Sequence, residues 1–549
     1  MKSLLLKTVF TLSLFFANFL VLAQSPQLVK DINPGAFGSS VGFCVTLNDL
    51  IIFTADNGSN GTEIWKSDGT STGTEILNDI IPGQSSSFPS NLTVVNNKVF
   101  FTAQSNSFGT ELWVTDGTTS GTVLVKDIYP GNNGSSPTYL TKINGTLFFN
   151  AESANGVELW KSDGTELGTS LVFDIDPNGS GFPISFTELN GEVFFAATDG
   201  VTGFELWKSN GTSVGTTRIT DINPGIADAL TGEMAVHNGF LYFAADNGVT
   251  GIELWKSDGT TNGTSLVKDI NSGMTGSTPS KLFSVNGKLL FKCDDGINGP
   301  EVWRSDGTTL GTQLVKDVNV GNSILSNPDF FTVLGNELFF VEFDGTASFG
   351  RELYKTDGTE QGTSLVFDIN PGLFDSDVSR IYATIDKLFF RATDGVNGFE
   401  IWQTNGFANG TNMIANVNAG PSSSNPNFFA AINNTLLFSA NDGNSGEELW
   451  KISDIVTTAN SALSSNIISI YPNPSKGTLN LRNLNIWKEN LEVCIFSALG
   501  NQLKTVSIVR PNNPNFSIDT SDLPAGIYFT IIKENSIFVS QQKFIILEN

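Results

Sequence analysis

The sequence predicts an all-β protein built from repeated four-stranded units, because one motif recurs at a nearly fixed interval between short β-rich segments. A segment close to Glu-Leu-Trp-Lys-Ser-Asp-Gly-Thr occurs nine times in the 549 residues, at intervals of 47 to 51 residues. An interval of this length indicates a supersecondary unit that buries its apolar surface only against neighbouring copies. The aromatic residues of the nine copies are Trp65, Trp113, Trp160, Trp207, Trp255, Trp303, Tyr354, Trp402 and Trp450.

The unit at residues 90–128 shows how one copy yields four strands. Apolar, β-rich segments lie at 91–95, 99–103, 110–114 and 123–128, and turn residues separate them. Such segments are typical of strands joined by hairpins, and Asn-Gly or Asp-Gly pairs supply the positive φ that tight turns need. Each copy is therefore predicted to be a four-stranded antiparallel meander.

The arrangement of the copies follows from apolar runs such as those at 147–149 and 388–390. Consecutive large apolar residues need cover on both faces of a sheet, which a ring of stacked blades provides. We therefore predict a β-propeller of about nine blades over residues 24–452. The segment at 28–32 reads as a fourth strand, and the last copy lacks one after Trp450. We expect that N-terminal strand to complete the last blade and close the ring, with two rings or an open arc as alternatives.

The N-terminus predicts export. Residues 1–23 are interpreted as a secretory signal peptide, with Lys2 and Lys7 before an apolar stretch at 9–22 and a small residue, Ala23, at the cleavage site. That stretch is short for a membrane span, and no later apolar run approaches the ~20 residues that a spanning helix needs. We therefore expect the mature protein to have no transmembrane helix.

Charge and cysteine content narrow the ligand classes. The 30 Lys and Arg residues against 55 Asp and Glu residues give a formal charge of −25, which argues against nucleic-acid binding. The same acidity is compatible with calcium binding, although no other cofactor is expected. Cys44, Cys293 and Cys494 form no disulfide framework and have no metal-ligand spacing, so we expect all three to be buried small residues.

The C-terminal segment departs from the repeat. A small polar linker is predicted at 453–465, and residues 466–549 contain no further copy of the motif. Seven short β-rich segments in that region predict a small β-sandwich. They lie at 467–471, 478–481, 491–497, 502–508, 515–518, 526–533 and 542–547.

Four motifs in this segment resemble the type A sorting domain of the type IX (Por) secretion system of Bacteroidota. They are YPNPSKGTLNL at 471–481, IFSALGNQL at 495–503, LPAGIYF at 523–529 and KFIIL at 543–547. The resemblance implies that residues 466–549 engage the type IX secretion machinery and are removed by a sortase after passage across the outer membrane. It also implies that the product is either attached to the cell surface or released.

The repeat region at 28–452 resembles the exported proteins named for their ELWxxDGT repeat. The copies depart from that pattern at Tyr354, at Asn210 and Asn405 in place of Asp, and at 452–454, where the ninth copy degrades. These departures are expected to loosen individual turns without changing the fold. The resemblance implies no settled activity.

A glutamate stands two positions before the aromatic residue in every copy. On a strand the two side chains share a face, so each carboxylate lies beside a buried ring and needs hydrogen-bond partners. We interpret these residues as structural, bonded to backbone N–H groups or to a lysine of the adjoining blade; a functional ring of carboxylates is the alternative. They are Glu63, Glu111, Glu158, Glu205, Glu253, Glu301, Glu352, Glu400 and Glu448.

The remaining candidates give little support for catalysis. The aspartate of the Asp-Gly-Thr turn is interpreted as an Asx turn that stabilises the hairpin, with a calcium loop as the alternative. His237, the only histidine, is interpreted as a surface or strand-end residue without the partners that a catalytic triad needs. The turn aspartates are Asp68, Asp116, Asp163, Asp258, Asp306 and Asp357.

The sequence assigns no catalytic, cofactor-binding or metal-ligating residue. We therefore expect a binding module, exported to the cell surface or the medium, that presents one rim or the central channel of the ring to a glycan or a protein. A polysaccharide hydrolase or lyase with carboxylates in the channel is one alternative, because paired acids could converge there. A structural component of a surface coat is the other.

Overall fold

The computed structural model describes residues 25–320, 326–344, 349–453, 455, 469–471, 477–482, 491–497, 502–508, 515–534 and 537–546. The predicted signal peptide and nearly all of the predicted linker lie outside these residues. Within them, nine four-stranded antiparallel sheets follow one another along the repeat region. Eight of these sheets are meanders in sequence order, and the ninth takes its fourth strand from the N-terminus. The predicted unit is therefore confirmed, and we call each sheet a blade.

The chain begins with β1 (Gln27–Lys30). Blade one contains β2 (Gly42–Leu47), β3 (Leu50–Asp56), β4 (Thr62–Ser67) and β5 (Glu75–Asn78); blade two β6 (Ser90–Val95), β7 (Lys98–Ser105), β8 (Gly109–Thr115) and β9 (Val123–Lys126); blade three β10 (Thr138–Ile143), β11 (Thr146–Ser153), β12 (Gly156–Ser162) and β13 (Ser170–Phe173). Blade four contains β14 (Ile184–Leu189), β15 (Glu192–Thr198), β16 (Phe204–Ser209) and β17 (Thr217–Arg218); blade five β18 (Leu230–His237), β19 (Phe240–Asp246), β20 (Ile252–Ser257) and β21 (Ser265–Lys268); blade six β22 (Ser280–Val285), β23 (Lys288–Asp294), β24 (Pro300–Ser305) and β25 (Gln313–Leu314).

Blade seven contains β26 (Asp329–Leu334), β27 (Glu337–Phe343), β28 (Arg351–Thr356) and β29 (Ser364–Phe367); blade eight β30 (Ser379–Ala383), β31 (Leu388–Thr393), β32 (Phe399–Thr404), a 3-10 turn (Ala408–Gly410) and β33 (Asn412–Ala415); blade nine β34 (Asn427–Ile432), β35 (Thr435–Asn441) and β36 (Glu447–Ser453). The C-terminal segment contains β37 (Ser469–Tyr471), β38 (Thr478–Arg482), β39 (Leu491–Ser497), β40 (Gln502–Ile508), β41 (Asn515–Asp519), β42 (Gly526–Glu534) and β43 (Ile537–Ile546).

The N-terminal strand closes a single ring. Strand β1 pairs antiparallel with β36, placing Leu28 opposite Trp450, and so becomes the fourth strand of blade nine. The first strand of every blade contacts the next blade around the whole circle, and that of blade nine contacts blade one. The nine-bladed propeller is therefore confirmed, and two rings or an open arc are excluded. Because the first strands approach one another most closely, they are the inner strands around the central channel.

The apolar core lies between blades rather than inside one. Between blades two and three, Phe100 and Leu112 of one blade share a buried cluster with Phe149 and Trp160 of the next. A cluster of the same kind joins Val29 and Leu449 of blade nine to Phe53 and Trp65 of blade one. The continuous apolar runs of the second strands are thus covered on both faces, as their sequence predicts.

All three cysteines are free; Cys293 and Cys494 are buried as expected, but Cys44 is only half-buried. The expectation for Cys44 was wrong because it lies on β2, an edge strand of blade one, where the cluster between blades nine and one covers it only in part. Among the described residues, no helix has the length and apolar character that crossing a bilayer requires.

The C-terminal segment forms two antiparallel sheets, ordered β37-β38-β41 and β40-β39-β42-β43. All seven predicted strands are present, and β43 begins five residues before the predicted 542–547 because it pairs along nearly all of β42. Leu479 and Leu481 of one sheet share a buried cluster with Val493 and Ile495 of the other. A shared cluster is what the predicted β-sandwich requires, and that assignment stays a prediction.

Replacing Trp160 by Ala tests the packing between blades. Trp160 is 7% exposed and lies in the cluster between blades two and three, so the substitution should lower the free energy of unfolding by about 3–5 kcal/mol. Denaturant unfolding of the full chain measures the change. The control Leu167→Ala, at a side chain that is 98% exposed, should change stability by less than about 0.5 kcal/mol. Equal effects of the two substitutions would contradict the packing described.

Candidate functional site

The nine repeated glutamates have a structural role, because each one holds a loop of the propeller in place. Each side chain has zero exposure, and each carboxylate accepts hydrogen bonds from the loop that follows the fourth strand of its blade. In blade one, Glu63 accepts from the backbone N–H groups of Ile80 at 3.1 Å and Ser87 at 3.0 Å. We call these nine residues the clasp glutamates, because each holds the loop leading to the next blade. The prediction of backbone N–H partners is confirmed.

The ninth clasp closes the ring. Glu448 accepts from the N–H of Ile32 at 2.9 Å and from the hydroxyl of Ser39 at 2.7 Å, across more than 400 residues of sequence. The predicted alternative, a lysine of the adjoining blade, was wrong, because among the described residues no lysine forms an ion pair with a clasp glutamate and the lysine after the aromatic residue also bonds elsewhere. Lys451, for example, donates to the carbonyl of Gly69 at 2.9 Å, which joins blade nine to the turn of blade one.

Burial raises the pKa of every clasp glutamate above its ordinary value, and the loop N–H and Ser hydroxyl donors oppose that shift. The pKa of Glu158 rises to about 7 and that of Glu448 to about 7. With no solvent exposure, these carboxylates cannot meet a substrate in the channel. The alternative of a functional ring of carboxylates therefore fails at the clasp positions.

The turn aspartates form Asx turns. The Asp68 carboxylate accepts from the N–H of Thr70 at 2.8 Å and from its hydroxyl at 2.6 Å, and the hydroxyl bond is the main cause that lowers the pKa of Asp68. The same bonds recur at Asp116, Asp163, Asp258, Asp306 and Asp357. Asn210 makes the same turn, so this departure from the motif changes little. The described residues contain no group of three or more acidic, His or Cys side chains placed to hold a metal ion. Calcium binding stays a prediction.

His237 is the last residue of β18, as expected, but it is buried rather than at the surface. Its Nδ1 lies 2.8 Å from the hydroxyl of Ser284, and its Nε2 lies 3.0 Å from the amide nitrogen of Asn238. Burial lowers the pKa of the ring. Because neither neighbour is a carboxylate, the geometry provides no Asp-His-Ser relay.

The structure reveals a feature that the sequence analysis missed, a bulge near the start of each inner strand. In blade one the pairing between β2 and β3 shifts between Gly42 and Val45, and Phe43 within the bulge has a φ of 33°. In eight blades the bulge residue has positive φ, while blade five has a longer bulge between Leu230 and Met234. The eight residues, which we call the inner ring, are Phe43, Asn91, Tyr139, Ser185, Lys281, Phe330, Arg380 and Phe428.

The inner ring combines backbone strain with exposed aromatic side chains. Phe43, Tyr139 and Phe330 are 51%, 50% and 39% exposed, and the ring of Phe43 lies 6.3 Å from that of Phe428. A left-handed conformation costs a bulky residue about 1–2 kcal/mol, which Gly or Asn would largely avoid. A bulge turns its side chain in a new direction. Large apolar groups held in strained conformations on strands that surround a channel mark a candidate binding site.

A pocket lies at one part of this ring. It has a volume of about 580 Å³ and lies between the inner strands of blades two and three. Asn91 and Tyr139 of the inner ring line it, together with Thr93 and Thr138. An aromatic face beside hydroxyl and amide groups offers both apolar contact and hydrogen bonding to one ligand.

Blade seven carries a buried carboxylate on its second strand, at a position where the other blades have no acidic residue. Opposite the clasp glutamate, seven blades place an alanine such as Ala55 or Ala392 and blade six places Cys293, but blade seven places Glu342. Glu342 has zero exposure, and its Oε1 accepts from the N–H of Phe343 at 2.8 Å, whereas its Oε2 has no partner among the described residues. Burial raises its pKa to about 7. Burial, and then the charge of Glu342, raise the pKa of Glu301 to about 8.

Comparison with known protein families identifies the C-terminal segment. Residues 469–547 match the family model described as a secretion system C-terminal sorting domain. The segment is such a sorting domain. It marks the protein as secreted or displayed at the cell surface and indicates an interaction with the secretion machinery. No curated protein matches the chain.

The chain is similar to solved structures at low sequence identity. A prolyl endopeptidase is 13% identical with a TM-score of 0.38, over 67% of this chain and 55% of its own length. Sqt1 of Saccharomyces cerevisiae is 9% identical with a TM-score of 0.35, over 79% of this chain and 98% of its own. The polysaccharide lyase Uly1 is 11% identical with a TM-score of 0.31, over 61% of this chain and 93% of its own. Similarities of this size carry no argument about activity.

Replacing Glu342 by Ala should stabilise the protein at alkaline pH. An ionised, partly unsatisfied carboxylate in a buried site costs about 1–3 kcal/mol, and most other blades have Ala at this position. The pKa values of Glu342 and Glu301 are raised in the folded state, so the two residues contribute to the free energy of unfolding in full below about pH 4.5. That stabilisation is lost as the pH rises through about 7 to 8.

The melting temperature at pH 5 and at pH 9 measures this effect. We expect Glu342→Ala to have a higher melting temperature than the wild type at pH 9. Its melting temperature should also fall less than that of the wild type between pH 5 and pH 9. Glu166→Ala removes the same charge from an exposed turn and should leave the wild-type difference unchanged. A Glu342→Ala variant that melts lower than the wild type at pH 9 would contradict the account.

Proposed function

We propose that the protein is a non-enzymatic, exported binding module that holds a glycan against the inner ring of its propeller. The exposed aromatic side chains in left-handed conformations support this proposal most, because a strand would avoid that strain without a benefit. The repeat region belongs, in this proposal, with exported proteins that carry ELWxxDGT repeats. A signal peptide at 1–23 and the type IX sorting domain deliver the protein, and a sortase removes that domain before surface attachment or release.

A glycan suits the inner ring better than a folded protein partner. Sugar rings present C–H faces that pack on aromatic side chains, and their hydroxyl groups need donors and acceptors nearby. Tyr139 with Asn91 and Thr138 offers that combination in the pocket between blades two and three. Phe43 and Phe428 offer a second aromatic surface across the junction of blades one and nine.

A polysaccharide hydrolase or lyase is the alternative, since the same aromatic surface would suit a substrate. Paired acids would then be needed beside the sugar. The clasp glutamates are buried and bonded to loop N–H groups, which removes the most numerous candidates. A structural surface-coat role is the second alternative and needs no binding surface in the channel.

Binding of the full chain to a glycan array, with a hydrolysis screen on the glycans that bind, tests the proposal. Phe330→Ala and Tyr139→Ala should each weaken binding of the best glycan about 10-fold, which corresponds to about 1.4 kcal/mol of lost contact. Phe37→Ala is the matched control, because Phe37 is 95% exposed but lies on the loop between β1 and β2. Affinities unchanged by both inner-ring substitutions would refute the site, and cleavage of the bound glycan would favour the enzyme.

A further inference from the structure

We propose that the glycan carries negative charge, as carboxylate or sulfate groups, and that Arg380 binds that charge between two aromatic positions of the inner ring. This inference rests on the proposed function and names the ligand class. Around the channel, blades six to nine place Lys281, Phe330, Arg380 and Phe428 in that order. Cations thus alternate with aromatic side chains over four successive blades.

Several basic side chains lie near one another in blades six to eight of this acidic protein. Only 30 of the 549 residues are Lys or Arg, and the net charge is −25. Lys292 of blade six interacts electrostatically with Lys281 and with Arg351, and Arg391 of blade eight interacts with Arg380. Like charges brought together in a folded protein raise its free energy unless an anion neutralises them.

The negative groups nearby neutralise the lysines more completely than the arginines. Lys281 lies 3.3 Å from the carboxylate of Glu233. Lys292 is influenced by the charges of Asp329 and Glu342. For the arginine pair, the neighbouring acid is Asp377, which acts on Arg391. At Arg391 the repulsion from Arg380 exceeds the attraction to Asp377.

Arg380 is the member of this pair that a ligand can reach. It is exposed, and among the described residues no hydrogen bond or ion pair engages its guanidinium. Arg391 is held in place, because its Nε donates to the hydroxyl of Ser379 at 3.2 Å and its guanidinium lies 5.1 Å from the centroid of Phe399. Burial, and then the charge of Arg380, lower the pKa of Arg391. A bound anion would relieve this repulsion.

The chemistry of the site fits a charged sugar. A guanidinium binds a carboxylate or a sulfate through paired N–H donors, while the aromatic rings of Phe330 and Phe428 on either side accept the C–H faces of sugar rings. A long, densely charged polyanion such as a nucleic acid would be repelled by the net charge of −25. A glycan with spaced charges can satisfy the arginine without that repulsion.

Pairs of ligands that share a sugar backbone but differ in charge distinguish recognition of the charge from recognition of the sugar. We would measure the affinity of the full chain for short, partly methyl-esterified oligogalacturonate and its full methyl ester, and for sparsely sulfated dextran and plain dextran, at low and at moderate salt. The wild type should bind at least one charged member 10-fold or more tightly than its uncharged partner. Binding of only the galacturonate or only the sulfated dextran would identify carboxylate or sulfate as the recognised group.

Variants assign the effect to Arg380. Arg380→Gln should weaken binding of the charged ligand about 10-fold and leave the uncharged one unchanged, whereas Phe330→Ala should weaken both. Lys142→Gln removes the same charge from an exposed position on the inner strand of blade three and should leave both affinities unchanged. Because Arg380 and Lys142 are exposed, neither Gln variant should melt below the wild-type temperature, which verifies folding.

The outcomes distinguish this inference from the proposed function. Binding that depends on Phe330 but is equal for charged and uncharged ligands, or is unaffected by Arg380→Gln, would overturn the charge assignment and leave glycan binding intact. If no glycan of either kind binds, here or on the array, both proposals are wrong.

Discussion

The fold depends on one constraint, the need of a buried carboxylate for hydrogen-bond donors. Each clasp glutamate has no contact with solvent, and the loop leading to the next blade supplies its N–H and hydroxyl partners. Leaving such a group unsatisfied costs free energy, so the loop is held in one conformation. Glu448 makes the same bonds to Ile32 and Ser39 at the other end of the repeat region, and thereby fixes where the ring closes.

The clasp also accounts for the geometry of the candidate site. The clasped loop ends where the inner strand begins, and the bulge lies at the first positions of that strand. With the loop fixed on one side and the hairpin to the second strand on the other, the bulge residue can be held at a positive φ that a free chain would avoid. Eight blades use this position for side chains as different as Phe, Tyr, Asn, Lys and Arg. The scaffold repeats, and the surface that it presents to the channel varies.

The sequence predicts the scaffold well because the scaffold is periodic. Nine motif copies, with four β-rich segments in the first eight and three in the last, and one additional strand at 28–32 lead to the blade count and the closure that the structure shows. The sequence does not predict the inner ring, because a positive φ is usually expected at Gly or Asn, whereas here it occurs at residues such as Phe43, Lys281 and Arg380.

Glu342 can be recognised in the sequence as the one acidic residue where other units have Ala or Cys. However, only the strand register places it opposite the clasp glutamate Glu352, and only the fold places it near Glu301. The half-burial of Cys44 and the burial of His237 likewise depend on where the inner strands lie.

Hydrogen exchange at the N-terminal strand tests the closed ring most directly. The amides of β1 that bond to β36 should exchange as slowly as those of the fourth strands in other blades, since β1 is the fourth strand of blade nine. In a Glu448→Ala variant their protection should fall, while that of β21 in blade five, on the other side of the ring, should change far less. If the β1 amides of the wild type exchange at the rate of an unstructured peptide, the ring is open and the account of its closure is wrong.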